Sequence, residues 1–386
     1  MFQKVNISKQ QILLVICAII FLLGSFRGGS ADDDALGYFV PSYIALVQRL
    51  SLPLVGLLML ISILININRV DKKLHSGVPT GLVCYFVFQF IIVLTSYFYR
   101  NDFQDFLVRG SFVTITFLYF FNVIRSLPLY ESLRNGVLIY FFYGLLAFIA
   151  INVFVYLSPS ANVFWKGRLY GVTSHPNFLG MCASICWIAS FALFLRAKAY
   201  KTKVFFVLAL ALSIYCCILT GSRTSILSGT LGTACIMAYT LKNNSFKPIL
   251  ILCMLIFGLF LYANLTLQSL DFEGRGNTRE GTWASMLERA SELPLFGYGR
   301  VGATTNAYLF SIVATGLFGS FFFFRTLIEL LRLYFSNLPQ FDKLTVNLFR
   351  GLVTFFLVSS TFEGYLLDNV STPVFTYWLL LTYVKF

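Results

Sequence analysis

The chain has 386 residues, of which 58% are hydrophobic, 18% aromatic and only 12% charged, and its mean hydropathy is +0.78. So little polar surface cannot coat a water-soluble globule, which excludes the soluble fold classes and points to a polytopic membrane protein. The net charge of +13 then reads as a membrane-topology signal, and no nucleic-acid partner is expected.

In chain order, twelve apolar runs approach the roughly 17–25 residues needed to cross a bilayer. They are 10–26, 42–66, 80–99, 110–126, 136–157, 174–195, 203–219, 223–240, 248–266, 305–324, 345–361 and 369–385. The first follows Lys4 and Lys9 as a signal peptide would, but no small-residue cleavage site follows it, so it is read as a retained helix. The expected fold class is all-α: one transmembrane domain over 1–386 with about twelve helices, interrupted by a long loop at 267–304. The eight cysteines all fall within the apolar runs, as packing residues would, and form no C-x-x-C pairs suggestive of zinc.

Positive charge in the short loops sets the expected orientation. Lys4, Lys9, Arg69, Lys72, Lys73, Arg125, Arg134, Arg196, Lys198, Lys201, Lys203, Lys242, Lys247, Arg325, Arg332, Lys343 and Lys385 fall on the side of the termini, which is therefore expected to be cytoplasmic. On the other side the basic residues are nearly all arginine: Arg27, Arg49, Arg100, Arg109, Arg168, Arg223, Arg275, Arg279, Arg289 and Arg300, with Lys166 the exception. A guanidinium fork suits phosphate or carboxylate oxygens held in fixed geometry.

Within the long loop, Trp283, Met286, Leu287, Ala290 and Leu293 recur at helical spacing opposite Arg279, Glu280, Glu288 and Arg289, which predicts a short amphipathic helix at the membrane interface ending at Pro294. The following Gly297, Gly299 and Gly302 make a G-x-G-x-x-G. With no strand before it and an extracytoplasmic setting, the dinucleotide-binding reading fails. Two readings stay open: a lid that lets backbone approach a substrate, and a flexible return into the next helix.

Three turns on the arginine-rich side combine polar residues with a helix start. Ser174, His175, Pro176 and Asn177 open the sixth run, with Ser174 as a cap; Ser222, Arg223 and Thr224 open the eighth; Thr304, Thr305 and Asn306 open the tenth. The three helix starts present free N–H groups and positive dipole ends on the same side, a setting for a multiply charged anion. Each turn alone is also what ordinary helix capping would produce.

The ordered set G-R-L-x-G-x-x-S-H-P-N-x-L-G, L-T-G-S-R-T, and a large loop ending P-L-F-G-Y-G before N-x-Y-L, spanning Gly167 to Leu309, resembles the O-antigen ligase and O-antigen polymerase superfamily of bacterial surface-polysaccharide assembly. The resemblance implies a fold related to the GT-C group. It also implies a metal-independent, inverting glycosyltransferase without a cofactor, in the bacterial cytoplasmic membrane with its site on the extracytoplasmic face. The implied partners are an undecaprenyl-diphosphate-linked oligosaccharide, membrane lipids and a chain-length regulator. Arg223 and Arg279 are the leading implied diphosphate ligands, then Arg168 and Arg289, with Arg275 and Arg300 weaker; Asn177, Ser222, Thr224, Thr305 and Asn306 complete the substrate-binding set.

Where ligases of the superfamily have a histidine just before the asparagine opening the tenth helix, this chain has Thr305, and threonine is no base near neutral pH. That departure favours a polymerase of O-antigen, capsule or exopolysaccharide over a ligase that transfers glycan to lipid A core or protein. The candidate base is His175 or Glu363. A lipid-linked oligosaccharide flippase and a scaffolding membrane protein are the alternatives from other classes; no internal repeat supports a transporter.

Overall fold

The computed structural model describes residues 9–26, 42–67, 79–127, 136–158, 163–165, 167–173, 175–240, 278–300, 305–336, 341–368 and 370–383. The predicted run 248–266, Cys253, Ser174, Thr304 and Arg275 lie outside them. The helices are α1 Lys9–Leu23, α2 Ser42–Asn66, α3 Thr80–Arg100, α4 Phe103–Leu118, α5 Gly136–Leu157, α6 Pro176–Arg196, α7 Tyr200–Leu219, α8 Arg223–Thr240, α9 Thr278–Glu292, α10 Ala307–Phe335, α11 Lys343–Phe362 and α12 Thr372–Thr382. The protein is an all-α, polytopic membrane protein. Among the described residues, eight helices are long and apolar enough to cross a membrane.

Three helix boundaries differ from the sequence reading, each for a physical reason. Helix α4 begins earlier, at Phe103, because the Asp102 side chain caps it by accepting from the Asp105 backbone N–H. Arg109, expected in a loop, lies on this helix and pairs with Asp105 at 2.6 Å. Helix α10 runs beyond the predicted end, carrying Arg325 and Arg332 on the helix, because both pair with Glu329, at 2.9 and 2.7 Å. Helix α12 has 11 residues, too few to span a hydrocarbon core of ~30 Å, and is buried on every side, with Trp378 stacked on Phe120 and tilted against Tyr85. The amphipathic helix α9 is present as expected, with Met286 buried and Trp283 and Ala290 half-buried, while Leu287 and Leu293 are exposed.

Helices α6, α8 and α11 pack closely, and small residues allow it. A Cβ on Gly232 would sit 2.8 Å from the Gly351 carbonyl, and one on Gly351 would sit 2.9 Å from the Gly232 carbonyl. Gly229 lies under the Trp187 ring and Gly180 under Thr220, Ser222 and Ser225. The six described cysteines other than Cys235 are buried in helices, as their apolar setting suggested.

The starts of α6, α8, α10 and α12 gather at one end with the finishes of α3, α7 and α11. Bonds from Asn177 to Glu363 and from Arg168 to the Thr220 carbonyl fix that end. The opposite end is tied by Arg196 to Asp342 at 3.1 Å and Asn347 to Thr240 at 3.0 Å.

One helix is broken. At Gly316, φ is 62° and ψ −169°, a conformation essentially restricted to glycine. The segment after α9 fills the gap: the N–H groups of Tyr298 and Gly299 donate to the carbonyls of Val313 and Ala314, both at 2.8 Å. In return, Leu317 and Phe318 donate to the carbonyls of Pro294 and Leu295 at 2.8 and 3.2 Å. The G-Y-G segment is thus a backbone clamp on α10.

A substitution pair tests the clamp. A Cβ at Gly316 would lie 2.2 Å from the Leu295 backbone, whereas one at Gly167, also at positive φ, meets nothing within 4 Å. Gly167→Ala is expected to cost about 1 kcal/mol of strain, and Gly316→Ala clearly more, from strain plus collision. Thermal unfolding in detergent should rank them in that order; equal melting temperatures would remove the clamp.

Candidate functional site

The site is built on a short hairpin between α5 and α6. Phe164–Trp165 pairs antiparallel with Arg168–Leu169, and Gly167 supplies the positive φ the tight turn needs. The hairpin exit is pinned from two helices: Asn152 Oδ1 accepts from the Val172 N–H at 2.9 Å, and Gln48 donates to the Val172 carbonyl at 3.1 Å. This aims Arg168 across the turn joining α7 to α8. Its Nε donates to the Thr220 carbonyl at 2.8 Å and its Nη2 to Asn177 Oδ1. Gly221, at φ +57°, gives the guanidinium room to lie there, its absent Cβ being 3.4 Å from Arg168 Nε.

Pro176 opens α6, as expected, but the cap is His175 rather than Ser174: its Nδ1 accepts from the Asn177 N–H at 3.2 Å. An Nδ1 that accepts carries no proton of its own. Capping thus uses the lone pair that a base at Nδ1 would need. Asn177 in turn donates from Nδ2 to Glu363 Oε1 at 2.9 Å. Glu363 is the C-cap of α11, its N–H bonded to the Ser359 carbonyl at 3.0 Å.

The remaining sequence-predicted residues fall into three groups. Arg223 stands half-buried at the first position of α8, while Ser222 and Thr224 beside it are buried, Ser222 bonded to Ser225 at 2.7 Å. Asn306 caps α10, accepting from Tyr308 and Leu309 at 2.9 and 3.1 Å, and the Thr305 hydroxyl oxygen is buried with no hydrogen-bond partner among the described residues. Tyr308 ties this helix start to α11 through the Leu357 carbonyl, at 2.9 Å.

The loop arginines are dispersed. Arg289 is exposed on α9, and Arg279 lies in its first turn, with its side chain outside the described residues. Arg300 is held within the protein: its guanidinium pairs with Asp368, its N–H donates to Ser96 at 2.9 Å, and its carbonyl accepts from Arg100. Tyr298 donates to Glu292, and that carboxylate holds the phenol above its ordinary pKa.

Two contributors escaped the sequence reading. Asp368 is the partner of Arg300, and Gln89 in mid-α3 fixes the Glu363-to-Asp368 loop by donating to the Leu366 carbonyl at 2.8 Å. A second acid close after Glu363, in a chain with only 16 acidic residues, was the available signal for Asp368. Nothing in sequence marks Gln89 beyond a polar residue within an apolar run.

The arrangement sets a carboxylate and an arginine at opposite ends of one amide, beside the start of α8 that carries Arg223. Chemically it offers an acceptor for a proton and donors for an anion within one cluster. In comparisons with known proteins, no family model matches the chain and no curated protein matches it.

The bracing role of Arg168 is testable. Lysine has one point donor and cannot serve Thr220 and Asn177 together in the fork's geometry. Arg168→Lys should lower stability by about 1–2 kcal/mol, read as a drop in melting temperature in detergent. Melting at the wild-type temperature would show that the guanidinium does not brace the turn.

Proposed function

We infer that the protein is a glycosyltransferase that uses a lipid-diphosphate-linked glycan as donor, and specifically a polymerase of surface polysaccharide. In this reading the site end faces outward from the bacterial cytoplasmic membrane. The growing glycan passes from undecaprenyl diphosphate to a new lipid-linked repeat unit, with inversion. The observation that carries the reading is the meeting of Arg168, the His175–Asn177 helix start, the Thr220–Arg223 turn and Glu363, drawn from segments far apart in the chain.

The acceptor hydroxyl attacks the anomeric carbon, the bond from that carbon to the diphosphate oxygen breaks, and the hydroxyl proton passes to Glu363. The charge growing on the diphosphate is met by Arg223, assisted by the N–H groups at the start of α8 and by Arg279 and Arg289 from the loop. His175 holds the start of α6, and with it Asn177, in place beside these groups. Glu363 is preferred over His175 as the base because the ring's Nδ1 is engaged in capping.

The break in α10 bears on the transporter alternative. In many transporters a broken helix presents unsatisfied backbone to an ion or substrate, whereas here four of its groups bond to the chain's own loop. That supports an enzyme's fixed scaffold.

The test is the gel profile of surface polysaccharide and lipid-linked precursors from a strain deleted for the gene, complemented with wild type or variants. Loss of the ladder with single repeat units still on their acceptor supports a polymerase. Full-length polymer left on undecaprenyl diphosphate makes the enzyme a ligase. Arg223→Lys and Arg279→Lys keep charge but lose the fork, and each should reduce polymer about 10²-fold while the protein still inserts. Wild-type polymer in both would sink the proposed diphosphate site.

A further inference from the structure

Asn177 entered the sequence reading as a substrate ligand, yet both ends of its amide are engaged by the protein. Its Oδ1 accepts from Arg168 and its Nδ2 donates to Glu363 at 2.9 Å. The chemistry permits one orientation: a guanidinium has only donors and an ionised carboxylate only acceptors, so carbonyl must face arginine and NH2 must face glutamate. The backbone is equally constrained, because the Asn177 N–H is given to His175 Nδ1 at 3.2 Å in the first turn of a helix whose start Pro176 sets. The other two members of the chain are anchored independently. Arg168 is held by the Thr220 carbonyl at 2.8 Å, and Glu363 by its place as C-cap of α11.

We propose that Asn177 is a positioning residue: it holds the Glu363 carboxylate in its ionised form on the acceptor side of the site and couples its orientation to Arg168 on the donor side. The role rests on the glycosyltransferase reading above. A neutral amide is the residue type this requires. Its NH2 stabilises the charged carboxylate without adding charge, and its carbonyl fixes the arginine without neutralising it. An aspartate of nearly the same shape would still satisfy Arg168 but would set carboxylate against carboxylate.

The other charged or titratable groups that bear on Glu363 come from several elements. Tyr365 interacts with it directly and Tyr308 on α10 acts on Tyr365; Arg168 on the hairpin and His175 before α6 reach it through Asn177, Arg223 follows the Thr220 turn that holds Arg168, and the Arg300–Asp368 pair closes its own loop. Asn177→Asp keeps an acceptor for Arg168, so a shift in that variant is assigned to the group facing Glu363.

The first measurement is independent of activity. Full-length protein in detergent is treated with dicyclohexylcarbodiimide, which reacts with protonated carboxyl groups, and labelling of the Glu363 peptide is followed against pH by mass spectrometry. In Asn177→Asp, two carboxylates compete for one proton, and the half-labelling pH of Glu363 should rise by about one unit or more. Asn177→Leu, which removes the amide without adding charge, should also move it upward, by less. Wild-type labelling curves in both variants would overturn the proposal.

The second measurement is polymer formation by membranes of the deletion strain, which carry the endogenous lipid-linked repeat unit, complemented with each form. For Asn177→Asp the acid limb of the pH–rate profile should move upward by the same interval. At a pH on that acid limb activity would then fall about tenfold, and it would return as the pH is raised above the limb. A loss that is the same at every pH, as simple misfolding gives, would overturn the positioning role. Membranes with wild-type protein that form no polymer, beside an intact labelling shift, would overturn the glycosyltransferase reading and leave the Asn177–Glu363 contact standing.

Discussion

A helix interrupted inside a bilayer survives only if some other group takes the hydrogen bonds it releases, because no water is there to do so. The break at Gly316 meets that constraint with backbone from the Pro294–Gly299 segment, two donors and two acceptors on each side. Much else follows from it. Gly297 and Gly299 are required because Cβ atoms there would lie 2.5 Å from the Val313 carbonyl and 2.4 Å from the Ser96 Cα. Their purpose is close backbone approach, which places them nearer to a structural strut than to a flexible lid or return. The strut joins amphipathic α9 to α10 and leads directly to Arg300, whose bonds to Ser96 and Asp368 tie it to α3 and to the loop after α11.

A second constraint acts on the other side of the molecule. Apolar side chains gain nothing by leaving lipid for a neighbouring helix, so tight association there depends on close van der Waals fit, which small residues permit. Gly180, Gly229, Gly232 and Gly351 let α8 lie against α6 and α11. That packing brings the turn carrying Thr220 and Arg223 beside the start of α6, and the end of α11 beside both. The cluster of Arg168, Asn177 and Glu363 is thus set by helix contacts below it, with the hairpin supplying the last piece. Sites mounted on packed helix ends hold their geometry better than sites on loops.

The polar residues at this end divide between scaffold and chemistry. Asn306, His175 and Asp102 cap helices; Ser222 and Thr224 are buried. Arg300 and Asp368 neutralise each other in the wall of the site. Arg168 and Glu363 are bonded to the two ends of the Asn177 amide, beside the helix start that carries Arg223. A site with this balance is preorganised: its donors and its carboxylate hold their directions before any ligand arrives.

The amino-acid sequence alone determined the class of the protein. Apolar runs of bilayer length, the amphipathic period of α9, Pro176 at a helix start and the placing of cysteines within helices are local properties, written in composition and spacing. The three polar turns were also legible, since helix starts have residue preferences of their own. What only the tertiary structure decided was pairing across distance. The run holding Phe323 continues to Phe335 because Glu329 finds two arginines, and Arg109, read as a loop residue, finds Asp105 on α4. Gly316 looks like any small residue in an apolar run until the G-Y-G segment is seen lying in its gap. Likewise nothing in the order of residues says that Asn177 faces Glu363, or that His175 spends its Nδ1 on a cap. Such roles depend on which atoms the packing brings within about 3 Å, and that is settled by helix contacts far from each residue in sequence.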